Sequence, residues 1–229
     1  MESLYKGAKL YVSHKLWTIN FDKKLTLPPK TTNHLSSMAL KRLAIFASGS
    51  GSNAEKIAEH FANHAEIEVS LILSNNPQAG VIARARRLHI PVILFDRKTF
   101  YETHKVVEIL QNEHIDLVVL AGFMMLIPEA MVHAFPNKIV NIHPALLPKY
   151  GGKGMYGHFV HEAVVTAKEP ASGISIHYVN EQYDEGAIIF QATCPVAPTD
   201  TPEDVAAKVQ VLEHKYYPEV VEKLLQTHS

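Results

Sequence analysis

From Lys41 onward, short apolar runs alternate with stretches that place apolar residues at helical spacing. That alternation constrains the fold more than any other feature of the chain. Strand patterns fall at residues 42–47, 67–73, 91–95, 115–121 and 138–142, with helical patterns at 54–63, 79–88, 100–113 and 128–134 between them. Units of this kind connect right-handedly and build a parallel sheet whose two faces are covered by helices. A helix at 158–168 is followed by two strands, 173–179 and 187–195, joined too closely for anything but an antiparallel pair. The expected fold is therefore a Rossmann-like α/β arrangement with a mostly parallel, mixed central sheet. Thr201-Pro202-Glu203-Asp204 then opens a long helix: a capping hydroxyl, a proline at the first helical position and acids in the first turn.

With 229 residues and 47% hydrophobic content, the chain suits one well-buried domain. Its formal net charge of −1 gives no general attraction to nucleic acid or anionic membranes. Cys194 is the only cysteine, so an internal disulfide is impossible. No apolar run approaches the roughly 20 residues needed to span a bilayer. These features fit a soluble, cytoplasmic protein without nucleic-acid or membrane partners, and they leave open whether it is a monomer or homodimer. Residues 1–37 stand apart: six lysines against two acids, the Pro28-Pro29 break and a polar run from Lys30 to Ser37. No sustained period appears there, and this extension is expected to be poorly structured, with the domain proper occupying 38–229.

The first strand runs into Ala47-Ser48-Gly49-Ser50-Gly51-Ser52-Asn53 and then the first helix. Glycines permit a tight turn, and successive amide N–H groups at a helix start favour an anion such as phosphate. Ala54 stands where the dinucleotide fingerprint wants its third glycine, and neither the lysine of a Walker loop nor the serine of a nucleophile elbow is in register. A merely tight turn is the competing reading.

Asn141-Ile142-His143-Pro144 ends the fifth strand. Residues two apart share a face, so Asn141 and His143 project together while Ile142 enters the core. Carboxyl ends of strands are where open α/β sheets bind ligands. An amide beside an imidazole can stabilise a developing oxyanion and move a proton. Asp184, in Tyr183-Asp184-Glu185-Gly186 between the two late strands, reads first as a turn former. If that turn folds back on His143, the carboxylate favours a protonated imidazole. His158 and His161 mimic a metal pair but have no third ligand in register, and no metal is expected.

Four segments together, Ser-Gly-Ser-Gly-Ser-Asn at 48–53, Leu-Ala-Gly-Phe-Met at 120–124, Asn-Ile-His-Pro-Ala-Leu-Leu-Pro at 141–148 and Asp-Glu-Gly at 184–186, resemble the folate-dependent formyltransferases. Val209-Gln210, Glu213-His214 and Tyr217-Pro218 resemble the glycinamide ribonucleotide branch of that family. The resemblance runs from about Lys41 to the C-terminus. It implies transfer of a formyl group from 10-formyltetrahydrofolate, as co-substrate, to the amine of 5'-phosphoribosylglycinamide in purine synthesis. It implies Asn141, His143 and Asp184 as catalytic residues, with Gly51, Ser52, Asn53, Gln210 and Glu213 holding the ribonucleotide. Met124, Met125, Leu126, Ile127, Asn141, Val179 and Asn180 then meet the folate, together with a basic residue before the third helix, Lys98 or Arg97.

Two departures stand out: Met125 replaces a common arginine, and the glycine-rich stretch 149–157 differs from the usual loop. A formyltetrahydrofolate deformylase is the nearest rival, although 37 weakly patterned residues fall short of its regulatory domain. A methionyl-tRNA formyltransferase calls for a basic C-terminal domain beyond the last helix. A non-catalytic phosphosugar- or nucleotide-binding protein is the rival from another class.

Overall fold

A computed structural model describes residues 40–227 and the backbone of two short strands, β1 (Lys9–Val12) and β2 (Lys15–Thr18). The chain divides into two compact units, 1–118 and 119–229.

In the first unit, β3 (Lys41–Phe46), β4 (Ile67–Ser74) and β5 (Val92–Leu94) pair in parallel. The helices α1 (Ser52–His60) and α2 (Gly80–Arg87) make the connections. Leu43, Ile45, Leu71, Leu73 and Ile93 are fully buried, as strands covered on both faces must be. β1 hairpins onto β2 and pairs antiparallel with β5. The reading of residues 1–37 as lacking a strand pattern missed this hairpin. Four-residue strands give a period-2 signal too short to stand out.

Helical spacing over 100–113 is one helix in the sequence and two in the structure: α3 (Arg97–Glu102) and α4 (Lys105–Asn112). Thr103 adopts an extended backbone between them, and its hydroxyl donates to the Thr99 carbonyl while accepting from the Lys105 amide. A threonine side chain satisfying local backbone groups competes with helix continuation in just this way. α3 begins earlier than its apolar pattern because Asp96 caps it, accepting the Thr99 amide at 2.7 Å.

β6 (Leu117–Leu120) spans the division in sequence. The second unit continues with α5 (Glu129–Ala134), β7 (Ile139–His143), α6 (His158–Thr166), β8 (Ala171–Tyr178), β9 (Ile188–Pro195) and α7 (Pro202–Thr227). β7 pairs antiparallel with β8, and β8 with β9, so the sheet is mixed as the short connection required. Thr201 and Asp204 cap α7 reciprocally, the hydroxyl taking the Asp204 amide and the carboxylate the Thr201 amide.

Tyr217 anchors α7. It is fully buried, and its hydroxyl reaches the carbonyls of Leu120 and Val140 at 2.9 and 3.2 Å. Phenylalanine would keep the packing but remove the one donor that these two buried carbonyls share. Tyr217→Phe should therefore destabilise the fold by about 1–3 kcal/mol. Urea unfolding reads this as a lower midpoint at constant slope, and an unchanged midpoint would show that the hydroxyl carries no net stability.

Candidate active site

β7 delivers two side chains to one place. Asn141 and His143 project from the same face of the strand, with Ile142 buried between them. Across the antiparallel register, Asn141 lies opposite His177 and His143 opposite Ser175. The β8–β9 turn brings Asp184 over this pair. Gly186 makes that turn possible, because a side-chain carbon there would fall 1.6 Å from the Tyr178 carbonyl oxygen. Asp184 itself adopts a left-handed backbone, φ 57°, which aspartate tolerates better than most residues.

A cluster of four polar side chains results. Asp184 Oδ2 lies 3.5 Å from His143 Nδ1, and Oδ1 lies 3.5 Å from both His177 Nε2 and the Asn141 amide nitrogen. Asn141 also donates to His177 Nε2 at 3.1 Å. Proton positions follow from acceptors that cannot donate. His177 Nδ1 faces the Tyr178 carbonyl at 2.8 Å, and His143 Nε2 faces the Tyr150 carbonyl at 2.7 Å, so each of these nitrogens carries hydrogen. In that arrangement His177 Nε2 accepts from the Asn141 amide, and a neutral His143 ring carries its lone pair on Nδ1, the nitrogen nearest Asp184.

Burial is the dominant influence on His143, 4% exposed, and pushes its pKa below the ordinary imidazole value. The Asp184 charge and the Tyr150 carbonyl raise it, but by less. The expectation that Asp184 holds His143 cationic is corrected accordingly: desolvation wins, and the imidazole is favoured in its neutral form. For Asp184, burial raises the pKa most strongly of any single cause. The nearby imidazoles of His177 and His143 and the Gly152 amide together outweigh it, leaving the carboxyl below its ordinary value.

His177 was not singled out from the sequence. Its signal lay in the alternation Ile174-Ser175-Ile176-His177, where polar residues recur on one face of an otherwise buried strand. His161 on α6, read in the sequence only as half of a metal-like pair, is also buried. It is 6% exposed, Nδ1 has no hydrogen-bond partner among the described residues, and burial lowers its pKa, with the charges of His158 and His143 adding to that shift.

The other candidates occupy separate segments. In the first unit, Gly51 caps α1 with a left-handed backbone, φ 78°, and a side chain there would collide with Val81 at 2.5 Å. Arg84 donates to the Ser50 carbonyl at 2.9 Å and, with Arg87, pairs with the buried Glu55 of α1. Asn76 donates to the Ser48 carbonyl. The turn is thus held rigid with Ser52 and Asn53 opening the helix. Arg97 and Lys98 are both exposed at the start of α3, and the Arg97 guanidinium lies over the Tyr101 ring at 4.7 Å.

In the second unit, Met124, Met125, Leu126 and Ile127 follow β6, grading from half-exposed Met124 to buried Ile127. Val179 and Asn180 follow β8, half-buried. Gln210 and Glu213 lie one turn apart on α7, the first exposed and the second half-buried. Among the described residues, no group of three or more His, Cys, Asp or Glu is arranged to hold a metal ion, and no helix is long and apolar enough to cross a membrane.

Residues 41–221 match the family model described as formyl transferase. The chain is 43% identical over 187 residues to the chloroplastic phosphoribosylglycinamide formyltransferase of Arabidopsis thaliana, covering 79% of this chain and 64% of that protein. The Bacillus subtilis phosphoribosylglycinamide formyltransferase is 37% identical over 191 residues, with 81% of this chain and 95% of the relative covered. A crystal structure of the Bacillus halodurans phosphoribosylglycinamide formyltransferase superposes with a TM-score of 0.74 at 40% identity, covering 82% of this chain and 97% of that one. The chain therefore spans under two thirds of the plant relative and nearly all of the bacterial ones.

The depressed imidazole and carboxyl values have a consequence for stability. Folded His143 and His161 bind protons less readily than the unfolded chain, so their neutral burial costs nothing well above the ordinary imidazole value. Stability is lost as pH falls through and below that value. Asp184 contributes stability above the ordinary carboxylate value and loses it as pH falls through its lower folded value. Thermal unfolding should therefore move to lower temperature between about pH 7.5 and about pH 5.5, before the carboxylates titrate. In His161→Gln the drop over that interval should shrink, and an equal drop would remove His161 from the account.

Proposed function

The chain belongs to the formyl transferase family, and we propose that it transfers a formyl group from 10-formyltetrahydrofolate to the amine of 5'-phosphoribosylglycinamide. The observation that carries the reading is the convergence of Asn141, His143 and Asp184 at the carboxyl end of β7. This cluster pairs amide donors with a buried, neutral imidazole and a carboxylate, which is what acyl transfer to an amine requires.

In the proposed reaction, the amine nitrogen attacks the formyl carbon and the carbonyl electron pair moves onto oxygen. The Asn141 amide donates to that oxygen. Its 3.5 Å contact with Asp184 is long for a hydrogen bond, and is the one a substrate oxygen can replace. His143 Nδ1, an acceptor in the neutral ring, takes the proton released by the amine. The resulting imidazolium stabilises the oxyanion, with Asp184 beside it offsetting the cost of a buried charge. Collapse breaks the bond between the formyl carbon and the folate nitrogen, and the proton returns to that nitrogen.

The ribonucleotide phosphate suits the turn at Gly51, Ser52 and Asn53, where amide N–H groups open α1. Gln210 and Glu213 are assigned to the ribonucleotide from α7. The graded apolar run Met124, Met125, Leu126 and Ile127, with Val179, Asn180 and Asn141, is assigned to the folate ring. Its half-buried apolar side chains suit the face of a flat heterocycle. Lys98 is preferred over Arg97 for the folate's acidic end, because Arg97 is engaged with the Tyr101 ring.

Folate absorbance on mixing the protein with 10-formyltetrahydrofolate tests the reading, and turnover should require the ribonucleotide. Turnover without it would point to the deformylase. Folate binding with no turnover under either condition would sink the transferase assignment. Asn141→Ala should lower kcat/KM by about 10²–10³ and His143→Ala by about 10²–10⁴. Asp184→Asn removes a charge that raises the His143 pKa, so the acid limb of kcat/KM should move to lower pH with a reduced plateau. An unshifted limb would detach Asp184 from His143.

A further inference from the structure

The glycine-rich stretch 149–157 meets the polar cluster through its own main chain. The Tyr150 carbonyl accepts from His143 Nε2 at 2.7 Å, and the Gly152 amide donates to Asp184 Oδ2 at 3.0 Å. Main-chain contacts of this kind hold only if the segment is anchored. Tyr150 sits in the left-handed region at φ 58°, which a tyrosine does not adopt without support, and the glycines that follow supply no side chain to grip.

The anchor lies 19 residues away, in the turn between α6 and β8. Glu169 Oε1 accepts from the Tyr150 hydroxyl at 3.0 Å and from Lys149 Nζ at 2.9 Å. One carboxylate oxygen thus holds two consecutive side chains at the start of the stretch. The Lys149 pair is exposed and worth little alone. The Tyr150 hydroxyl bond is partly buried and charge-assisted, and so better able to fix an orientation.

We propose that Glu169 is a positioning residue for the formyl transfer: by gripping Tyr150 and Lys149 it holds the Tyr150 carbonyl against His143 Nε2, keeping the imidazole proton there and leaving Nδ1 to receive the proton of the attacking amine. The role of His143 Nδ1 rests on the function proposed above, whereas the control of the tautomer does not. Without the anchor the ring is free to carry its proton on Nδ1, bonded to Asp184, and that tautomer cannot act as the base. The ribonucleotide is assigned to other segments, so its binding is left unaffected.

The test uses the full chain labelled with ¹⁵N-histidine, with His143→Gln identifying the His143 signals. In the native protein, neutral His143 should appear as the Nε2–H tautomer. Glu169→Ala should give a mixture of tautomers and lower kcat by about tenfold or more, with KM for phosphoribosylglycinamide unchanged. Glu169→Gln retains an acceptor for the Tyr150 hydroxyl and should restore both the tautomer and most of kcat. Native tautomer and kcat in Glu169→Ala would overturn the proposal, as would a lowered kcat with the tautomer intact. Should Glu169→Ala not fold, Tyr150→Phe removes the same bond from the other side and is judged by the same outcomes. A native protein with the Nε2–H tautomer but no formyl transfer would refute the proposed function while leaving the tautomer control standing.

Discussion

One buried carboxylate organises the second unit. Asp184 is only 11% exposed, and such a charge is tolerated only where donors and cations compensate it. The Asn141 amide from β7 and the Gly152 amide from the glycine-rich stretch donate to it, and the imidazoles of His143 and His177 flank it. The partners come from β7, β8 and the glycine-rich stretch, so satisfying this one group fixes the strand ends, the turn and the loop relative to one another. Without compensation the carboxyl would neutralise, and the segments would lose their common point of attachment.

The same cluster shows why burial and charge must be weighed together. A carboxylate near an imidazole ordinarily favours the cation, yet the His143 site is so far removed from water that desolvation dominates. The resulting neutral ring is a better proton acceptor than a cation, and its orientation is decided by the carbonyl on its far side. The Tyr150 main-chain oxygen thus bears on that ring as directly as the side chains around it do. That oxygen is placed in turn by a surface glutamate.

The glycine-rich turn of the first unit obeys a different constraint. Gly51 is required by backbone conformation and by Val81, and the turn is held by Arg84 and Asn76 on its carbonyls and by the Ser48 hydroxyl on Asn75. Its amides are therefore presented in a fixed array. The rigidity comes from α2 and β4, elements distant in sequence from the motif they support.

Local rules were enough for much of this molecule. Alternating periods located the strands and helices from Lys41 onward, the two-residue spacing of Asn141 and His143 put them on one face, and the Thr201 signature began α7. Those features depend on near neighbours, and sequence records near neighbours directly. What the chain could not reveal alone was set by contacts across long separations. The β1 strand found its partner in β5. His177 entered the polar cluster through strand register, and Glu169 reached Tyr150 across a helix. The protonation of His143 belongs to that second group as well. A carboxylate partner is legible in a motif, but the depth of burial that outweighs it exists only once the chain has folded.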